Sequence, residues 1–380
     1  MTDGERDPWL LTPGPLTTSA TVKAAMLHDW GSRDGRFIAI NRRVRDRLVG
    51  IAGGEGSHVC VPLQGSGTFA VEAMLGTLVP RQGKLLILIN GAYGKRMARM
   101  MGYLGRAFAI VEAPEDQAIE PAAVAASLAT DPAITHVAIV HCETTSGVLN
   151  PVAEIAAVVA EAGRRLLIDA MSAFGALPLD ARLVPFDAVA ASANKCFEGV
   201  PGVGFVVARR GALEAAEGNA HTLSLDLYDQ WQAMEKNAQW RFTPPTHVLV
   251  AFDQALEEHR AEGGVAGRGQ RYRANCKLLV DGMRALGFET LLPNHLQAPI
   301  IVTFRMPADA NFVFDRFYDR LREHGYVIYP GKLTVADSFR IGCIGRIGEA
   351  EMKGAIEAVR RTLAEMGVAS GAPARRAATA

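Results

Sequence analysis

The chain has no excess charge of either sign: its 380 residues carry 40 Lys plus Arg against 40 Asp plus Glu. That balance excludes a whole-surface affinity for nucleic acid or an anionic membrane and leaves room only for a local basic pocket. Cysteine is scarce, and the five present (Cys60, Cys142, Cys196, Cys276 and Cys343) are scattered without a CxxC pair. A disulfide framework and a zinc site are thereby excluded, and no metal is expected. No apolar run approaches the ~20 residues needed to span a bilayer. The opening residues 1–8 carry Asp3, Glu5, Arg6 and Asp7 and lack the apolar core of a secretory leader, so a cytoplasmic protein is expected. Aromatics are few, at 7%, whereas 38 glycines and 49% hydrophobic residues describe an α/β chain with many tight turns and an ample core.

Apolar runs alternate with helix-period stretches from about residue 57 to 210, the pattern of a parallel sheet with crossover helices. Strands are expected at 58–63, 84–90, 107–111, 136–141, 165–169, 188–191 and 203–208, with helices at 68–78, 96–104, 121–128 and 152–162. Beyond Arg210 comes an irregular polar stretch, 218–241, then a helix from 245 to about 261. Glycines at 263, 264, 267 and 269 are expected to break the chain ahead of a long helix, 270–286. The remainder again alternates strand and helix, and 369–380 reads as a disordered tail. The expected organisation is an N-terminal segment (1–20), a large domain with a mostly parallel sheet (21–262), a smaller C-terminal α/β domain (263–368) and the tail.

Gly65-Ser66-Gly67-Thr68-Phe69-Ala70 follows a strand and opens a helix, matching the dinucleotide pattern GxGxxA in letters and context. A nicotinamide site expects an acidic residue at the end of the next strand to hold the ribose, yet that strand ends in Asn90. What remains is a helix N-terminus reinforced by the Ser66 and Thr68 hydroxyls, suited to a phosphate, or else a tight turn with no ligand.

The apolar strand 165–168 runs into Asp169, which should face the crevice at the carboxyl ends of the strands, although an aspartate there also suits a helix cap. Strand 188–191 leads into Ser192-Ala193-Asn194-Lys195-Cys196. A lysine among such small residues is partly desolvated, which lowers its pKa toward a reactive amine; a solvated surface lysine is the plain alternative. Phosphate cradle, carboxylate and strand-end lysine together match the needs of pyridoxal phosphate: lysine for the aldehyde, carboxylate for the pyridine nitrogen.

At this point the chain closely resembles the 2-aminoethylphosphonate:pyruvate aminotransferases, fold-type I pyridoxal-phosphate enzymes related to the alanine–glyoxylate aminotransferase group. The matching stretches are 11–16 (LTPGPL), 29–34 (DWGSRD), 64–68 (QGSGT), 90–94 (NGAYG), 143–147 (ETTSG), 169–172 (DAMS), 192–196 (SANKC), 224–228 (SLDLY), 241–247 (RFTPPTH) and 329–332 (YPGK). The resemblance extends from Leu10 to about Met366, with these stretches in order and at consistent spacing. The resemblance implies Lys195 as the Schiff-base lysine and Asp169 as the partner of the pyridine nitrogen. It places Ser66, Gly67 and Thr68 on the cofactor phosphate, Thr145 near the ring hydroxyl, Tyr93 stacked on the ring and Ser192 as a further cofactor contact. Thr243 would reach the cofactor of a neighbouring subunit, implying a homodimer. Arg340 matches the arginine that clamps the substrate's acidic group, a role its planar fork suits, against a structural salt bridge. Arg33 is a second anion contact or a solvated loop arginine.

The implied reaction is a ping-pong transfer of the amino group of 2-aminoethylphosphonate to pyruvate, giving phosphonoacetaldehyde and L-alanine, with Lys195 as nucleophile and general acid/base. The rivals are an alanine/serine–glyoxylate aminotransferase, desulfuration of cysteine with Cys196 as nucleophile, and a nicotinamide-binding or non-enzymatic α/β protein without pyridoxal phosphate.

Overall fold

Leu85, Ile87 and Ile89 are buried on one face of the strand Lys84–Ile89, and Leu86 and Leu88 on the other. That two-residue alternation, apolar on both sides, belongs to a strand covered by helices above and below. A computed structural model describes residues 7–333 and 336–374. In it the strand lies within a seven-stranded sheet in the order His58–Gln64, Val203–Arg209, Ala188–Ser192, Arg165–Asp169, Ile134–Val140, Lys84–Ile89, Ala107–Glu112. Val203–Arg209 runs antiparallel to both neighbours, and the other pairings are parallel. One face packs on helices Gly35–Ile51, Pro121–Thr130, Val152–Glu161 and Thr246–Ala261. The opposite face packs on Gly67–Leu78, Ala92–Tyr103 and Leu227–Asn237.

A second core surrounds a three-stranded antiparallel sheet in which Ser338–Gly342 lies between Ile301–Arg305 and Tyr329–Pro330. Phe288, Phe304, Phe317 and Phe339 fill it with ring centroids 5.5–6.4 Å apart. The N-terminal segment joins this region: Trp9–Leu10 pairs in parallel with Tyr326–Val327, and the Gly342 N–H donates to Leu11 O at 2.8 Å.

The glycines at 264, 267 and 269 do not break the chain. The long helix begins at Gly264 and runs to Ala285 through all three. A Cβ at Gly267 would stand 1.9 Å from Glu262 O, and one at Gly269 2.3 Å from Ala176 O, so these glycines permit close packing of a helix. Gly94 does the same inside Ala92–Tyr103, where a Cβ would meet Ile89 Cα at 3.0 Å, and that helix starts four residues before the expected 96. Two helices of more than ten residues lie where the sequence reading assigns none: Gly35–Ile51, capped by Asp34, and Leu227–Asn237, capped by Asp226 within the polar stretch. The expected tail starts too early, since Ala369 N donates to Asp309 Oδ2 (2.9 Å) and Gly371 N to Leu286 O (3.0 Å). Residues 375–380 lie outside the described residues. Among the described residues no helix is long and apolar enough to cross a membrane.

Candidate active site

A cavity of about 440 Å³ opens at the carboxyl ends of the parallel strands, on the face covered by Gly67–Leu78 and Ala92–Tyr103. Gly65, Ser66, Gly67 and Thr68 line one end of it. Ser66 occupies the helix N-cap, yet its hydroxyl makes no capping bond, which leaves it available to an anion. Gly67 has no room for a side chain: a Cβ would lie 2.2 Å from Met171 Sδ. Thr68 Oγ1 accepts a 3.1 Å hydrogen bond from Arg96 Nη1.

Asp169 ends its strand in register with Val140 and Ala190 and lines the same cavity. It shares its strand face with Leu167, so the pleat itself aims the carboxylate at the cavity. Burial pushes its carboxyl up to about 6, opposed by the Met171 N–H bond and by the Arg96 and Lys195 charges. Lys195 follows the neighbouring strand Ala188–Ser192 by three residues and also lines the cavity, with Ser192 and Asn194. Its Nζ donates to Pro13 O at 2.7 Å, and desolvation pulls its ammonium down to about 8.

The turn after Lys195 is braced from behind. Glu198, nearly fully buried at φ 61°, accepts from Arg271 Nη2 and from the Tyr272 hydroxyl, each at 2.7 Å. Buried Arg268 donates to Glu262 at 2.6 Å and to Cys196 O. All three partners project from the helix Gly264–Ala285, which thereby fixes the lysine-bearing turn. Cys196 itself lies outside the cavity lining, its Sγ 3.2 Å from Ser172 O, and burial pushes its thiol up to about 12, so it is no mobile nucleophile.

The opposite wall comes from Tyr93, Cys142 and Thr144. Thr145, expected at the ring hydroxyl, does not line the cavity. It is fully buried, its hydroxyl donating to Glu143 and accepting from Ala92 N at 3.2 Å. Glu143 is the organising group here and was not singled out by sequence: fully buried, it also accepts from Tyr93 N (3.2 Å) and Thr145 N (3.1 Å). Arg340 stands behind the wall, nearly fully buried, with Nε donating to Pro330 O (3.0 Å) and Nη1 to Thr144 O (2.8 Å). Among the described residues Nη2 has no hydrogen-bond partner. The Arg340 and Lys332 charges both weigh on Lys195. The structure therefore brings Ser66, Gly67, Thr68, Tyr93, Asp169, Ser192 and Lys195 together around one cavity, with Arg340 adjoining. It leaves Arg33 and Thr243 exposed and outside the lining.

Sequence reading missed three charged groups here: Arg96, Glu143 and Lys332. Arg96 was within reach, because it follows Tyr93 by three residues in one helix and so shares its face.

The model of the family "Aminotransferase class-V" matches residues 22–320. The chain is 57% identical over 361 residues to 2-aminoethylphosphonate–pyruvate transaminase 2 of Burkholderia lata, covering 95% of this chain and 96% of that one. It is 56% identical over 372 residues to the 2-aminoethylphosphonate–pyruvate transaminase of Cupriavidus necator, covering 98% and 99%. Among solved structures, an alanine–glyoxylate aminotransferase from Nostoc sp. superposes with a TM-score of 0.87 at 23% identity over 96% of this chain and 97% of that one, a likeness of fold. With a family match across most of its length, the chain belongs to the class-V aminotransferases.

Proposed function

We propose that this protein transfers the amino group of 2-aminoethylphosphonate to pyruvate with pyridoxal phosphate as cofactor, releasing phosphonoacetaldehyde and L-alanine. The observation that carries this reading is the shared cavity of Asp169, Lys195 and the Ser66–Thr68 cradle, in a chain 57% identical to a relative named for that reaction. The residues fit the cofactor: an uncommitted Ser66 hydroxyl at a helix N-terminus suits its phosphate, and a buried carboxylate suits a ring nitrogen. When bound, pyridoxal phosphate supplies an aldehyde for the amino group and a protonated pyridine that withdraws negative charge.

Ser66, Gly67 and Thr68 would hold the phosphate, Tyr93 would cover the ring, and Ser192 would add a hydroxyl contact. Asp169 would accept the pyridinium N–H and keep it protonated. Lys195, poised near neutrality, would hold the cofactor through its amine, and, once the substrate's amine has taken its place, the freed lysine amine would move a proton at the amine-bearing carbon. Arg340 offers its Nη2 edge to the anionic group of each substrate in turn.

The working unit in this reading is a homodimer. Arg33 and Thr243 are exposed, and so are the apolar side chains of Leu27, six residues before Arg33, and of Phe242, next to Thr243, at 88% and 50%. A second copy covering that surface brings Thr243 to the partner's phosphate site and Arg33 to its substrate.

The test is an amino-donor panel on wild type and Arg340→Ala. Turnover of 2-aminoethylphosphonate with pyruvate, lost in the variant, is the expected result. Turnover of alanine or serine with glyoxylate and none of the phosphonate would replace this reading by its sister activity.

A further inference from the structure

Arg96 touches two of the groups assigned to the cofactor, Thr68 and Tyr93. It lies three residues after Tyr93 on the helix Ala92–Tyr103 and lines the cavity beside Ser66, Gly67 and Thr68. Its Nη1 donates to Thr68 Oγ1 at 3.1 Å, and its guanidinium carbon stands 4.8 Å from the centre of the Tyr93 ring. No carboxylate lies within ion-pair distance of it among the described residues. A threonine hydroxyl that accepts from a guanidinium still has its own proton to donate, and a phosphate, which offers only acceptor oxygens, can use no other part of it. Thr68 is the second residue of the helix Gly67–Leu78, where the backbone N–H groups are unpaired and an anion is favoured.

We propose that Arg96 is a positioning residue for the cofactor phosphate: it holds the Thr68 hydroxyl by its oxygen, so that the hydroxyl proton is directed at the phosphate. The arginine makes Thr68 a better donor, because a hydroxyl that accepts a charge-assisted bond is polarised toward giving its proton away. The inference rests on the proposed use of pyridoxal phosphate.

The test is cofactor binding, read by absorbance as cofactor-free protein is reconstituted with pyridoxal phosphate or with pyridoxal, which has the same ring and no phosphate. Wild type, Arg96→Gln, Arg96→Lys, Thr68→Val and the Arg96→Gln/Thr68→Val pair are compared. Arg96→Gln is expected to weaken pyridoxal phosphate about ten-fold or more and to leave pyridoxal within about two-fold. Arg96→Lys should recover part of the loss, and Arg96→Gln should cost no more than about two-fold when Thr68 is already valine. Equal losses for both ligands, full additivity with Thr68→Val, or unchanged phosphate-ligand affinity would each overturn the proposal. If Arg96→Gln does not fold, Arg96→Lys in the two Thr68 backgrounds decides by the same additivity. Failure of the underlying reading looks different: wild type itself would form no coloured complex with pyridoxal phosphate that borohydride reduces.

Discussion

The Nζ of Lys195 donates a 2.7 Å hydrogen bond to the carbonyl oxygen of Pro13, 182 residues earlier in the chain. The N-terminal segment thus touches the lysine directly, and through the Gly342 N–H bond to Leu11 it also touches the strand that carries Arg340. Gly14 makes the approach feasible, because its φ of +124° suits glycine and a Cβ there would lie 2.6 Å from Nζ and 2.8 Å from Cδ. Gly14→Ala should cost about 1 kcal/mol or more in stability through backbone strain alone. It should also displace the lysine, slowing cofactor capture by about ten-fold. Denaturant unfolding and stopped-flow absorbance read the two effects separately.

Capture of an aldehyde needs the neutral amine, and Lys195 loses its proton near pH 8, well below the usual lysine value. The capture rate of the cofactor-free protein should rise about ten-fold per pH unit below that value and level off above it. A rate that climbs unchanged to pH 10 would mean the lysine is not desolvated.

Asp169 carries the opposite sign. Its carboxyl is raised in the folded state to about 6 from 3.8, so the folded protein binds the proton more tightly and the buried charge costs about 3 kcal/mol above both values. Cofactor-free Asp169→Asn should therefore melt higher than wild type at pH 8, with the advantage shrinking as pH falls through 6 toward 4. Its turnover should nevertheless drop by about a hundred-fold or more, because a neutral amide does not hold the pyridine proton. Paired melting curves and steady-state rates check both halves.

Arg340 spends two donors on the backbone carbonyls of Pro330 and Thr144. Lysine cannot reproduce that fixed fork, so Arg340→Lys should lower kcat/KM for 2-aminoethylphosphonate by about a hundred-fold despite the retained charge. Wild-type kinetics in this variant would remove the arginine from the substrate site.

Behind the lysine turn, Arg268 is nearly fully buried, a charge held by Glu262 and Cys196 O beside Glu198. Arg268→Met leaves buried carboxylates short of a partner and should destabilise the fold by about 3 kcal/mol. Chemical denaturation of the cofactor-free protein measures it, and a change under about 1 kcal/mol would show that the network is not a brace.

The central sheet was legible in the sequence because its strands are continuous apolar runs ended by polar residues, and Asp169 and Lys195 sit where two such runs stop. Glycine was the misleading signal. Gly267 and Gly269 read as breaks because local preference disfavours them in helices, whereas each is needed where the helix passes within contact of another backbone. Thr145 came from the family resemblance; in the structure the buried Glu143 takes its hydroxyl and Thr144 is the threonine on the cavity lining.

What the sequence alone determined is the chemistry available: a strand-end carboxylate, a lysine among small residues and a helix N-terminus rich in hydroxyls, each a local pattern set by a few neighbouring residues. Only the tertiary structure decided which distant groups serve them. Pro13 on Lys195, Arg96 on Thr68 and Thr144 on Arg340 are contacts across 28 to 196 residues. Such pairs depend on how strands order within a sheet and how helices cross it, and no local spacing encodes that order.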